Sequence, residues 1–164
     1  MRARSREEFE AVFRAHYASV FGSVLLIVHD RGRAEEVTQD AFLKLYERWT
    51  AVNWVVEYPP AWVHQVAVRA AIRRAQREKK VVPVAEPVDR ATTDQVPDVD
   101  LVNAIGLLAP KQRAAVVLFY LEDRPVEEIA RVMGTSTSTV KQHLHRARTR
   151  LAEVLEEEVV DDVS

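Results

Sequence analysis

The sequence predicts an all-α fold of two small helical domains joined by a flexible linker. Three observations carry this expectation. Apolar residues recur at helical spacing along most of the 164 residues, strand-type alternation is not sustained anywhere, and one proline-bearing acidic stretch breaks the pattern near the middle. Ser5-x-x-Glu8 is a capping-box pattern, in which each side chain satisfies a backbone N–H that a helix start leaves unpaired. Phe9, Val12, Phe13, Tyr17 and Val20 follow it at helical spacing. Asp30 suits the N-cap of a second helix, where Glu35 and Glu36 favour the positive end of the dipole and Val37, Ala41, Leu45 and Trp49 form an apolar stripe. Pro59-Pro60 punctuates the chain. From Ala61 to about Lys80 there is neither Gly nor Pro, and Val63, Val66, Ala67 and Ala70 share one side, which predicts a third helix.

Residues 81–99 contain Pro83, Pro87 and Pro97, lack a sustained period and carry net negative charge, the marks of a linker. The expected domains are therefore 1–80 and 100–164. In the second, Leu101, Ile105 and Leu108 begin a helix. Pro110 suits the first position of another reaching about Leu121, and Pro125 plays the same part for a short helix ending near Gly134.

Composition narrows the function classes. Cysteine is absent, which excludes disulfides and thiolate metal sites. The longest apolar run, Val24-Leu25-Leu26-Ile27-Val28, is too short to span a bilayer, and no signal-peptide pattern opens the chain, so a cytoplasmic protein without a membrane partner is expected. A formal net charge of −2 hides a segregation. Arg69, Arg73, Arg74, Arg77, Lys79 and Lys80 form one basic block, and Lys141, Arg146, Arg148 and Arg150 another, with acidic residues between them and at the C-terminal end. Two cationic surfaces suggest two contacts with one polyanion.

Val126 to Arg150 reads as a helix-turn-helix that binds DNA, within a winged-helix-like four-helix domain. Val126–Met133 forms a short helix, Gly134 can adopt the left-handed conformation that ends it, and Ser136 can cap the next. Ala130 is small where two crossed helices must approach. Val140, Leu144, Ala147 and Leu151 fix the buried side of the second helix, which turns Ser138, Gln142, His145 and Arg146 outward, flanked by Thr139 and Lys141. These residue types suit groove recognition. Gln pairs bidentately with adenine, Arg with guanine, and Lys, Ser and Thr hold phosphates.

Val126-Glu127-Glu128-Ile129-Ala130, followed by Thr139-Val140-Lys141-Gln142-His143-Leu144-His145-Arg146-Ala147-Arg148, resembles the region-four signature of extracytoplasmic-function (ECF) sigma factors of the sigma-70 family. Ala34-Glu35-Glu36-Val37-Thr38-Gln39-Asp40-Ala41-Phe42 and Ala61-Trp62-Val63 resemble their region two. The resemblance extends from about Glu7 to Leu155. It implies a dissociable subunit of bacterial RNA polymerase whose region two melts and reads the minus-ten promoter element and whose region four reads the minus-thirty-five element. It further implies that Glu35, Glu36, Gln39, Asp40 and Phe42 lie on the surface that docks core polymerase, and that an anti-sigma factor is a possible further partner.

The basic helix has its own physical logic. Gln65, Arg69, Arg73, Gln76 and Lys80 fall on one polar stripe with Arg77 beside it, while Trp54, Tyr58 and Trp62 lie in or next to the preceding loop. Opening a duplex needs cations for the backbone and stacking surfaces for unpaired bases, although Trp54 and Trp62 also suit a core. Arg69 and Arg73 stand where the family usually has Asn and Asp, and His143 where it often has Arg. The segment 81–99 could thread the polymerase interior or serve as a solvated tether. The acidic tail could shield the recognition helix or simply be solvated. A rival reading, a helix-turn-helix regulator that binds duplex DNA without polymerase, lacks a receiver domain before Val81. An enzyme is not expected: His16, His29, His64, His143 and His145 show no metal-ligand spacing with carboxylates, and no P-loop or nucleophile motif is present, so neither metal nor cofactor is predicted.

Overall fold

The computed structural model describes residues 4–49, 58–78 and 99–163, the side chains of residues 99 and 157–163 excepted. Helix α1 (Arg6–Val28) starts at the expected capping box, where Ser5 Oγ accepts from the Glu8 N–H at 3.2 Å and Glu8 Oε2 accepts from the Ser5 N–H at 2.8 Å. It ends at His29, whose left-handed backbone (φ 61°) turns its N–H onto the Leu25 carbonyl. Asp30 Oδ1 then accepts from the Arg33 N–H and starts α2 (Arg31–Trp49). The Trp49 indole N–H donates to the Ser5 carbonyl at 2.7 Å, pinning the end of α2 to the start of α1. Helix α3 (Pro59–Arg77) is offset from its expected span of Ala61 to Lys80. Both prolines occupy its first turn, where a missing N–H leaves no intrahelical bond unmade.

Helices α4 (Val99–Gly106), α5 (Pro110–Val116), α6 (Val126–Met133) and α7 (Thr137–Val163) form the second half, and α5 runs on through a π-helical turn, Val117–Leu121. The first residue of α4 is Val99, the last residue assigned to the linker from sequence; 81–98, with Trp54 and Lys80, lies outside the described residues. No strand occurs among the described residues.

By length and composition α1 could cross a membrane, yet Val20, Val24, Leu25, Ile27 and Val28 are buried against α2, α3 and the second half. The two halves share one contiguous core. Ile27, Leu45, Val63 and Val68 from α1–α3 join Ile105, Leu108, Leu118, Ile129 and Val140 from the second half, all of them fully buried. Each such side chain contributes about 1.5–3 kcal/mol on leaving water. Three polar contacts cross the same junction. Arg113, 7% exposed, donates to the Leu108 carbonyl and to the Ile27 carbonyl at the end of α1. Arg69 of α3 donates to two carbonyls at the end of α6, and His64 of α3 meets Glu122 at 2.9 Å.

Candidate nucleic-acid interface

The turn between α6 and α7 is built as its sequence predicts. Gly134 adopts φ 69°, its N–H reaches the Arg131 carbonyl, and the Thr135 N–H reaches the Ala130 carbonyl at 2.9 Å, closing the helix end. Ser136 Oγ accepts from the Thr139 N–H at 3.2 Å and so caps α7. Ile129, Ala130 and Val132 bury one side of α6 against Val140, Leu144 and Ala147 of α7. This leaves Ser138, Lys141, Gln142, His145 and Arg146 exposed on the far side of α7, with Thr139 and His143 half-buried at its margins. The Thr139 hydroxyl is committed to Ser136, 2.8 Å away.

Charge on this face is less uniform than the sequence suggests. Burial, then the nearby charges of Lys111 and Arg146, lower the pKa of His143, so its imidazole is neutral at pH 7 and adds no cation. Arg148 lies over the rings of Phe119 and Tyr120 and donates to the Tyr120 hydroxyl at 2.6 Å, while Arg150 pairs with Glu153 at 3.4 Å. The cations turned freely outward are therefore Lys141 and Arg146.

On α3, Arg73, Gln76 and Arg77 are exposed and Gln65 is half-buried, so this side is open to a ligand. Arg69 differs. Its Nε donates to the Val132 carbonyl and its Nη2 to the Arg131 carbonyl, each at 2.9 Å, so the guanidinium faces α6 instead of extending the stripe. Trp62 is half-buried against the core with the Arg48 guanidinium 5.5 Å above its ring, which gives it a structural contact besides any stacking role.

The acidic surface of α2 is present, with Glu35, Glu36, Gln39 and Asp40 all exposed. Glu35 pairs with Arg31 at 3.5 Å and Glu36 with Arg74 at 3.1 Å. Phe42 does not belong to this surface, and its expected docking role is corrected. It is 2% exposed and packs edge-on against Phe13 and beside Tyr17, because the apolar stripe of α2 is wide enough to include Thr38 and Phe42 as well as Ala41 and Leu45. The exposed apolar residues here are Leu43 and Tyr46, which the sequence reading did not name. Their signal was their position off the stripe, beside Gln39 and Asp40.

Residues 12–81 match the sigma-70 region 2 family and residues 98–151 match sigma-70 region 4. RNA polymerase sigma-E factor of Streptomyces coelicolor is 33% identical over 154 residues, covering 90% of this chain and 86% of that protein. The ECF RNA polymerase sigma factor SigM of Mycobacterium tuberculosis is 28% identical, covering 93% and 80%. Among solved structures, the sigma factor RpoE from Bartonella quintana, crystallised with the anti-sigma factor NepR, has the same fold at a TM-score of 0.67 and 20% identity, covering 92% of this chain and 98% of that one. Regions 2 and 4 thus fall in order on the two halves described above, and the chain belongs to the sigma-70 family, among its ECF RNA polymerase sigma factors.

Proposed function

We infer that this chain directs bacterial RNA polymerase to promoters, with 1–80 as region two and 100–164 as region four, joined through 81–99. The single observation that carries the reading is the outward face of α7, where Ser138, Lys141, Gln142, His145 and Arg146 stand exposed on a capped helix-turn-helix. Ser138, Thr139, Lys141, Gln142, His145 and Arg146, with His143 at the margin, would contact the minus-thirty-five element. Gln142 and Arg146 would read base edges and Lys141 would hold backbone phosphate. The N-terminus of α7 adds a favourable end for a phosphate.

On the other half, Gln65, Arg73, Gln76 and Arg77 would engage the minus-ten region, together with Trp54, Trp62, Arg69 and Lys80. The carboxylates of Glu35, Glu36 and Asp40, with Gln39, would dock core polymerase, and Leu43 and Tyr46 supply exposed apolar area beside them. The protein itself makes and breaks no bond; its work is binding and duplex opening in the cytoplasm. An anti-sigma factor is a further partner that this reading accommodates.

Run-off transcription with bacterial core polymerase and a genomic promoter library tests it. Transcripts that depend on this chain are expected. Failure to bind core polymerase would sink the sigma reading and favour a regulator acting on duplex DNA alone.

A further inference from the structure

We propose that Lys111, His143 and Arg146 form a phosphate subsite along one edge of α7, in which the imidazole takes up a proton as DNA binds. The ligand is a backbone phosphate of the duplex that α7 reads. The proposal deepens the sigma-factor reading and rests on it.

The seam between α5 and α7 sets the cluster. Ala114 and Ala115 of α5 are fully buried in the core that also takes Val140, Leu144 and Ala147 of α7. Lys111 precedes the two alanines by three and four residues, so it lies on the packing side of α5, one turn earlier, and emerges exposed at the edge of the seam. His143 occupies the corresponding edge of α7, half-buried beside Leu144 and Ala147. Arg146 stands exposed three residues further on, its Cβ about 5–6 Å from that of His143. Arg150, the next cation on this flank, pairs with Glu153, whereas Lys111 and Arg146 have no carboxylate partner among the described residues. Two cations from two helices thus flank one imidazole.

Position and charge both suit a phosphate. A helix fills the major groove, which is roughly 12 Å wide, so its outer face meets base edges and its flanks meet the backbone. Gln142 lies at the centre of the exposed face, and this cluster lies on the flank. The charged groups that act on the His143 ring are Lys111 from α5 and Arg146 from its own helix; burial first, and then these two, keep the ring neutral in the free protein at pH 7. A phosphate held by the two cations offsets their repulsion and accepts a hydrogen bond from the protonated ring. The bound state then carries more protons than the free one, so affinity rises as pH falls. A neighbouring opposite charge moves a pKa by about one to three, which gives a rise of roughly threefold or more from about pH 8 to about pH 6. His145, the other imidazole on the exposed side of α7, lies on the opposite flank beside Lys141 and serves as the internal comparison.

Fluorescence anisotropy measures DNA affinity at about pH 8 and about pH 6 over a salt series, for the chain assembled with core polymerase on promoter-library DNA and for the free full-length chain on random-sequence duplex. The ratio of wild-type to His143→Gln affinity isolates this one proton from every other titrating group. It should be near one at the higher pH and roughly threefold or more at the lower, where the wild-type salt slope is also steeper by about one. His143→Arg should show at the higher pH the steeper slope that the wild type reaches only at the lower. His145→Gln should keep the acid rise, whatever it does to affinity. Lys111→Gln lies outside the core and should weaken binding to all sequences, lowering the salt slope by about one at both pH values. It keeps the test decisive if the His143 variants do not fold. A ratio near one at both pH values, an acid rise lost in His145→Gln, or an unchanged salt slope in Lys111→Gln would overturn the subsite. If core polymerase is not bound at all, the sigma reading fails, and the same ratios for the free chain on duplex DNA still decide the subsite.

Discussion

Lys141 and Gln142 are neighbours on α7 and both exposed, yet their removal should have different signatures. A lysine held by phosphate contributes to every sequence alike. Lys141→Ala should therefore weaken the holoenzyme on all promoters and reduce the slope of log affinity against log salt by about one. A glutamine on a base edge contributes to one position, so Gln142→Ala should relax discrimination there by about 1–3 kcal/mol and leave the salt slope alone. Binding titrations over a salt series, on matched and single-base-changed promoters, separate the two; equal losses on every sequence would remove the base-reading role. His143 behaves as neither. Burial, with Lys111 and Arg146 beside it, holds its pKa below the ordinary histidine range, so protonation opposes the folded state. Stability from its neutral form is present above pH about 6.5 and is lost as pH falls through the lowered value. His143→Gln should flatten part of the acid sensitivity between pH 7 and 5, as measured by thermal denaturation. The outward face was legible in the sequence because three buried positions, Val140, Leu144 and Ala147, fix the rotation of the helix. The state of His143 was not, because it depends first on burial by the packed helices and then on Lys111, which reaches it from α5.

At the scale of elements, ends were more legible than partners. Ser5, Asp30, Gly134 and Ser136 all act where local sequence places them, since a cap or a left-handed turn is completed within three or four residues. The burial of Phe42 and the partners of Arg69 were not legible for the opposite reason. One is claimed by Phe13 and Tyr17 of another helix, the other by carbonyls more than sixty residues away, and neither contact leaves a local pattern. The turn of the helix-turn-helix gives a direct test of how far local chemistry governs the element. Gly134 at φ 69° tolerates a β-branched side chain poorly, so Gly134→Val should destabilise region four by about 1–3 kcal/mol, whereas Ser136→Ala removes only a cap and should cost about 1 kcal/mol. Urea denaturation ranks them; a Gly134→Val protein as stable as Ser136→Ala would show that the left-handed turn is not required.

For the whole molecule, the sequence gives two halves but no sign that they share a core, because Ile27, Leu108 and Ile129 look alike whether they face their own domain or the other. The polar contacts at that junction make the fold sensitive to acid, with a sign fixed by two groups. Burial, and then the charge of Arg113, lower the pKa of His29. Its contribution to stability is present while it is neutral and declines as pH falls below about 6.5. Burial alone would raise the pKa of Glu122, but its hydrogen bond to His64 and the charges of His64 and Arg124 outweigh that and hold the carboxylate below its ordinary range. Its contribution is present above the ordinary carboxylate value and is lost as pH falls through the lowered one. The thermal-denaturation midpoint should therefore fall in two stages from pH 7 to 3. Asn adopts the left-handed backbone of His29 without an ionisable group, so His29→Asn should remove the upper stage and keep the lower. Glu122→Gln should start at a lower midpoint and lack the lower stage. A wild-type midpoint that does not change from pH 7 to 3 would mean that neither group governs stability, and that the shared apolar core alone holds the halves together.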